Sequence, residues 1–202
     1  SPFEAMLCQV GDKVIEYESE RYKQQRLIAF SNWPTTDPFA YPQDITRFFM
    51  KCAKVDVEHI QTTDAFISGR FASYHVYPYY PDYLNYILNS SSEESLTYWI
   101  TDQSEWDTVD MGVPIEDYLP GGENADFSDY NGETNTYYTY LKALTNYHTM
   151  PVVISEYGVS TGRGMAQRDY NTGRNQGNMS EQEQGYAIID CYNDIMEAGC
   201  AG

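Results

Sequence analysis

The segment Pro151-Val-Val-Ile-Ser-Glu-Tyr-Gly158 places one carboxylate, Glu156, directly after a short apolar run, Val152 to Ser155. An aromatic, Tyr157, and a glycine, Gly158, follow it. A buried strand that delivers an acid at its C-terminal end holds that acid still at the mouth of a parallel α/β fold. The same pattern also describes an acid that ends a buried strand and caps the next element. Three other apolar or alternating runs end in comparable residues. The first leads to Asn32, Trp33 and Asp37, the second to Glu58 and His59, and the third to His75, Tyr77, Tyr79 and Tyr80. Carboxylates, a histidine and aromatic rings together suit cleavage of a glycosidic bond. One carboxylate attacks the anomeric centre, another protonates the leaving oxygen, and the rings hold the sugar. Binding of a metal by the same residues is disfavoured, because no ligand spacing such as His-x-x-x-His occurs.

The elements that must position these residues alternate. Ser1-Pro2-Phe3-Glu4 reads as a capping box with proline at the first helical position. Phe3, Met6, Leu7, Val10, Val14 and Ile15 continue as a helical stripe to about Lys23. Strands are expected at 26–31, 55–60, 71–77 and 152–155. Helices are expected from Ile45 to Ala53 behind Asp44, from Asp82, from Asn135, and from the capping box at Ser180 to a stop at Gly199. This rhythm predicts a parallel sheet with right-handed crossovers. Residues 90–135 interrupt it as a long acidic insertion, with Trp99 and Trp106, read as a lid or rim within a single domain spanning 1–202.

Composition narrows the partners. The chain of 202 residues carries 12 Lys plus Arg against 30 Asp plus Glu, a formal charge of -18. Phosphate-bearing partners are repelled by such a surface, which argues against nucleic acid, while a neutral sugar is compatible with it. No run is apolar enough to insert in a membrane, and no signal peptide is visible. A chain beginning at Ser1 is expected to be processed or excised from something longer. Cys8, Cys52, Cys191 and Cys200 form no C-x-x-C pair and read as small buried hydrophobes. Aromatic residues make up 15% of the chain, 20 of them Tyr. Their flat apolar face and hydroxyl match a sugar ring, although most are ordinary half-buried residues.

Other candidates read more plainly. Asp126 to Glu133 has the flavour of a calcium loop, fails the EF-hand spacing, and reads as a solvated turn. Gly162-Arg163-Gly164 lacks the Lys-Ser/Thr of a phosphate loop and reads as a flexible rim. His148 reads as a helix C-terminal residue facing the dipole. No cofactor is expected.

The strings NWPTTDP, VDVEHI, YHVYPYYPD, VVISEYGVSTGRGM and GRNQG, in this order, resemble the clan A glycoside hydrolases. Within that clan they resemble an uncharacterised bacterial subgroup similar to the family 2 catalytic domain. The resemblance implies a (β/α)8 barrel, of which this chain would be a segment from strand four to the helix after strand seven. It implies that Glu156 is the nucleophile, that His75 and Tyr77 position it, and that Asn32 contacts the sugar. The family's acid/base position is occupied here by Trp33. Glu58 and Asp37 are then the catalytic candidates for that role. Trp33, Tyr79, Tyr80 and Tyr157 join Asn32, His75 and Tyr77 as sugar-binding candidates. A half barrel would leave strand edges for the remaining half or a second copy. Two other readings stand beside the enzyme. One is a sugar-binding module without chemistry, favoured by Trp33. The other is a structural domain of a larger surface protein, favoured by the acidic insertion. Location is left open, with an extracytoplasmic or cell-surface setting favoured.

Overall fold

A computed structural model describes residues 1–41, 51, 53–81, 84 and 115–202, with the side chains of 116 and 123 left aside. The expected helices beginning at Asp44 and Asp82, the first part of the insertion, and Cys52 lie outside these residues.

Helix α1 (Pro2–Tyr22) opens on the expected capping box. The Ser1 hydroxyl accepts from the Glu4 amide, and the Glu4 carboxylate accepts from the Ser1 backbone nitrogen. Three strands follow in one parallel sheet, β1 (Ser31–Asn32), β2 (Ala72–His75) and β3 (Val152–Glu156), adjacent in that order. Helix α2 (Thr136–Tyr147) connects into β3, and its first turn is capped by the Asn135 side chain, which accepts from the Tyr138 amide. A separate antiparallel pair, β4 (Met165–Gln167) and β5 (Gln176–Gly177), follows β3. Helix α3 (Glu181–Glu197) closes the described chain on the Ser180–Glu183 capping box. Beyond it Gly199 takes a positive φ of 87°, and the Gly199 amide donates to Met196. Ala201 and Gly202 then lie along the outer edge of β3. The Ala201 amide donates to Val152 and the Ile154 amide donates to Gly202.

One face of the sheet is packed. Ala72, Tyr74, Val152 and Ile154 meet Tyr137, Tyr140, Leu141 and Leu144 of α2 and Cys191 and Ile195 of α3, all buried. Alternation along β2 and β3 sends Ser73, Val153 and Ser155 to the other face. There the Ser73 hydroxyl donates to the Ser155 hydroxyl at 2.8 Å. The later part of the insertion also belongs to the core. Ile115 and Leu119 are buried against it, at the start and end of a short 3-10 turn.

The barrel segment is not what these residues form. A barrel needs a sheet that curls on itself with matched strand number and stagger. The described residues give five short strands in two small sheets. The run 55–60 is not a strand. Val57–His59 is a 3-10 turn, and side chains take the backbone groups that a ladder would need. The Asp56 carboxylate accepts from the Glu58 amide, the Glu4 carboxylate accepts from the Asp56 amide, and the Arg70 guanidinium donates to the Val57 carbonyl. The run 26–31 contributes a parallel bridge between Ile28 and Arg70, then β1, so β1 pairs directly with β2. The expected flexible rim, Gly162-Arg163-Gly164, runs directly into the β4–β5 pair. Its strands approach so closely at Gly177 (φ 87°) that a Cβ there would meet the Gly164 carbonyl oxygen at 2.1 Å. Glycine is required at that position.

Candidate functional site

The carboxyl ends of β2 and β3 bring His75 and Glu156 together. Regular alternation would put Glu156 on the same face as Val152 and Ile154, against the helices. The register slips between Tyr74 and His75, so His75 pairs with Glu156 and Ser155 is skipped. Such an irregularity re-aims a side chain at the end of a ladder. The result is a contact of 2.8 Å between His75 Nδ1 and Glu156 Oε2, with the two side chains 37% and 52% exposed. An exposed pair of this kind adds little to stability, on the order of 0–1 kcal/mol.

Aromatic residues follow the same strand ends. Trp33, just beyond β1, stands 40% exposed with its ring 5.5 Å from that of Tyr80. Tyr77 and Tyr79 stack at 5.4 Å with planes 29° apart. Tyr79 is buried with Val159 and Ala187, and Tyr77, Tyr80 and Met179 pack around that cluster. Tyr157 turns the other way and packs against the main core. The string Glu156-Tyr157 thus splits into an outward acid and an inward anchor.

The other sequence candidates are placed elsewhere. Asn32 is buried and braces the loop that follows it. Its amide donates to the carbonyls of Thr36 and Val55, and its oxygen accepts from the Trp33 amide and the Thr36 hydroxyl. Those contacts commit both ends of the amide, which is not the posture of a sugar ligand. Asp37 is fully buried, with the hydroxyls of Tyr41 and Tyr140 donating to it at 2.6 and 2.7 Å and Lys51 Nζ at 3.2 Å. Burial raises its pKa, and the Lys51 ammonium acts against that rise. A carboxyl sealed from solvent in this way cannot protonate a leaving group on a sugar. Glu58 is bound at the opposite end of the sheet. It accepts from the Thr149 amide (2.9 Å), the Thr149 hydroxyl (2.7 Å) and His148 Nδ1 (3.0 Å), just ahead of β3. Four residue steps along β3 at roughly 3.3 Å each already separate its two ends by about 13 Å. Retaining and inverting carboxyl pairs span about 5–5.5 and 6.5–9.5 Å, so Glu58 is the wrong partner for Glu156.

His148 is also corrected. It follows α2, but its side chain is buried rather than turned to the helix dipole. Its Nε2 lies 2.9 Å from the Tyr74 hydroxyl and its Nδ1 faces Glu58. A neutral ring with the proton on Nδ1 satisfies both contacts, donating to Glu58 and accepting from Tyr74. Burial lowers its pKa, against the pull of Glu58.

Sequence reasoning missed Gln167, Gln176 and Arg174. The two amides lie on β4 and β5 and line a small cavity with Tyr77, Tyr79 and Tyr80. Arg174 is buried, and its guanidinium donates to Asp194 (2.7 Å) and Asn135 (3.0 Å) and lies 5.2 Å over the Tyr137 ring. No residue spacing announces a contact that joins three separate segments. The turn at 126–133 is organised by Asp129, which accepts from the amides of Asn131 and Glu133. No group of three or more His, Cys, Asp or Glu placed to hold a metal occurs among the described residues. No described helix is long and apolar enough to cross a membrane. No protein-family model, curated protein or solved structure matches the chain.

Proposed function

We propose that this chain carries the nucleophile side of a retaining glycoside-hydrolase site acting on carbohydrate. The observation that carries the reading is the His75–Glu156 contact at adjacent strand ends, open to solvent, with Trp33 following the neighbouring strand β1. In this role a Glu156 oxygen attacks the anomeric carbon and the bond to the leaving oxygen breaks. The leaving oxygen takes up a proton from an acid, and water later releases the sugar from the ester. His75 is a positioning residue, because a carboxylate held by a donor attacks from a fixed geometry. The order of strings that resembles the clan A enzymes supports the same assignment, and no cofactor enters the chemistry.

A second reading is a sugar-binding module that does not cleave. The specific observation in its favour is that Trp33 stands where that family places its acid, while Asp37 is sealed and Glu58 lies at the far end of the sheet.

The test is Glu156→Gln in the full-length protein, assayed on a panel of aryl glycosides and for sugar binding. Hydrolysis is expected to fall by a factor of about 10³ or more with binding retained. Unchanged hydrolysis would remove Glu156 as the nucleophile. Binding by both forms with hydrolysis by neither would establish the second reading, and no sugar binding by either form would overturn both.

A further inference from the structure

We infer that the β4–β5 pair and the Tyr77–Tyr80 loop build a second sugar position beside Glu156, selective for an uncharged sugar unit. The inference rests on the carbohydrate reading of the site and adds to it a wall, two recognition residues and a ligand class.

The wall is fixed rather than loose. Arg174, between β4 and β5, is pinned to Asp194 on α3 and Asn135 at the cap of α2. The turn before it is held by Asp169, which accepts from the amides of Asn171 and Thr172 at 3.0 and 3.2 Å. The Asn175 side-chain oxygen accepts from the Asp169 amide at 2.9 Å. The Gly177 amide donates to Ser160 and the Asn178 amide to Gly162, which ties the far strand back to the segment leaving β3. Val159 and Met179, at the two ends of this unit, pack with Tyr77, Tyr79 and Tyr80. The aromatic loop and the strand pair therefore form one packed body. A recognition surface held in place before binding loses little entropy when a ligand arrives.

Between them lies a cavity of about 280 Å³ lined by Tyr77, Tyr79, Tyr80, Gln167 and Gln176. Tyr77 lies two residues beyond His75, and β4 begins nine residues beyond Glu156, so both walls grow out of the two strand ends that hold the carboxylate. The lining is aromatic and amide. A pyranose ring offers an apolar C–H face, which suits a tyrosine ring, and hydroxyls that both donate and accept, which suits a primary amide. Among the described residues, no charged side chain lines the cavity. Arg163 and Arg168 belong to the same segment, but neither lines it, and Arg168 lies 5.7 Å over the Tyr170 ring. A carboxylated sugar would find no guanidinium or ammonium there, and the formal charge of -18 opposes its approach. The lining matches a neutral unit.

The experiment measures binding to the full-length protein in the Glu156→Gln background, which prevents turnover. The probes are glucose, three neutral disaccharides (cellobiose, laminaribiose and maltose) and a disaccharide containing glucuronic acid. Gln176→Ala is expected to weaken the best neutral disaccharide about fivefold to tenfold, the loss of one hydrogen bond, and to leave the monosaccharide unchanged. Gln167→Ala provides a second variant, and a melting curve of each establishes that it folds. Parent-like disaccharide affinity in both folded variants would overturn the proposal and leave the Glu156 site standing. Equal weakening of monosaccharide and disaccharide would overturn the second position. Binding of the glucuronide as tight as that of the neutral sugars would overturn the ligand class. Failure of every sugar to bind would overturn the carbohydrate reading itself.

Discussion

At the scale of single residues, three ionisable groups show how position decides role. Glu156 is open and faces His75, Asp37 is sealed, and Glu58 is half-covered and filled with donors. The Glu58–His148–Tyr74 chain makes the folded state sensitive to acid. His148 is held below its ordinary value of 6.5 by burial, with Arg70 acting in the same direction and Glu58 and Asp56 opposing. The unfolded chain therefore takes up a proton near pH 6.5 that the folded chain refuses, and stability falls as pH drops through that value. Burial alone would raise Glu58, but the donors Thr149 and His148 outweigh it and hold the carboxyl below its ordinary value of 4.5. Its contribution is present above that value and is lost as pH falls further toward its folded value. The expected outcome is a urea midpoint that declines between pH 7 and 5 and declines again below 4.5. His148→Gln should cost about 2 kcal/mol at pH 7 through its two buried hydrogen bonds and should flatten the first decline. A first decline of undiminished slope in that variant would place the proton uptake elsewhere. The sequence placed Glu156 at a strand end, but the face it takes depends on the register slip between Tyr74 and His75, which no local pattern encodes. It misplaced Asp37 and Glu58 because nearness to a strand end says nothing about which donors close around an acid.

At the scale of elements, the helices were the most legible. Both capping boxes and the Asn135 cap appear as read, since each depends on residues only three apart. The strands were legible where an apolar run is packed on one face, as in β2 and β3. They were not legible at 55–60, where alternation was real but Asp56, Glu4 and Arg70 captured the backbone. The β4–β5 pair had no apolar signal at all. Its anchor is polar, which sets up a direct test. Arg174 is raised in pKa; desolvation works against its charge, but the acids Asp194 and Asp169 outweigh that cost. Removing one member of a buried pair leaves the other uncompensated. Arg174→Ala should lower stability by about 3–5 kcal/mol and raise hydrogen exchange across 165–177. Restoring much of that loss by adding Asp194→Asn would show that the orphaned carboxylate is the cause. A double variant no better than the single one would point instead to lost packing over Tyr137.

At the scale of the whole molecule, three of the four expected strands are parallel neighbours in sequence order, the fourth, 55–60, is a 3-10 turn instead, and alternation did not determine closure. Closure depends on strand number and stagger, which no local pattern encodes, and the described residues form two small sheets instead. Charge, by contrast, is a property of the entire chain and is fully legible. The chain has 30 acids and 12 bases, and among the described residues the most buried ion pairs, Asp37–Lys51 and Asp194–Arg174, lie where salt does not screen them. The rest of the chain carries a large excess of acids over bases. Folding gathers those like charges into a smaller volume, which works against the compact state. Added salt shortens the Debye length to about 10 Å at 0.1 M and weakens that repulsion. The melting temperature is therefore expected to rise as NaCl goes from about 10 mM to about 300 mM at pH 7, and to flatten beyond it as the Debye length drops below the spacing of neighbouring carboxylates. The rise should shrink at pH 5, where part of the surface is neutralised. A melting temperature that fell with salt would mean that attractive surface pairs, rather than net repulsion, govern this molecule.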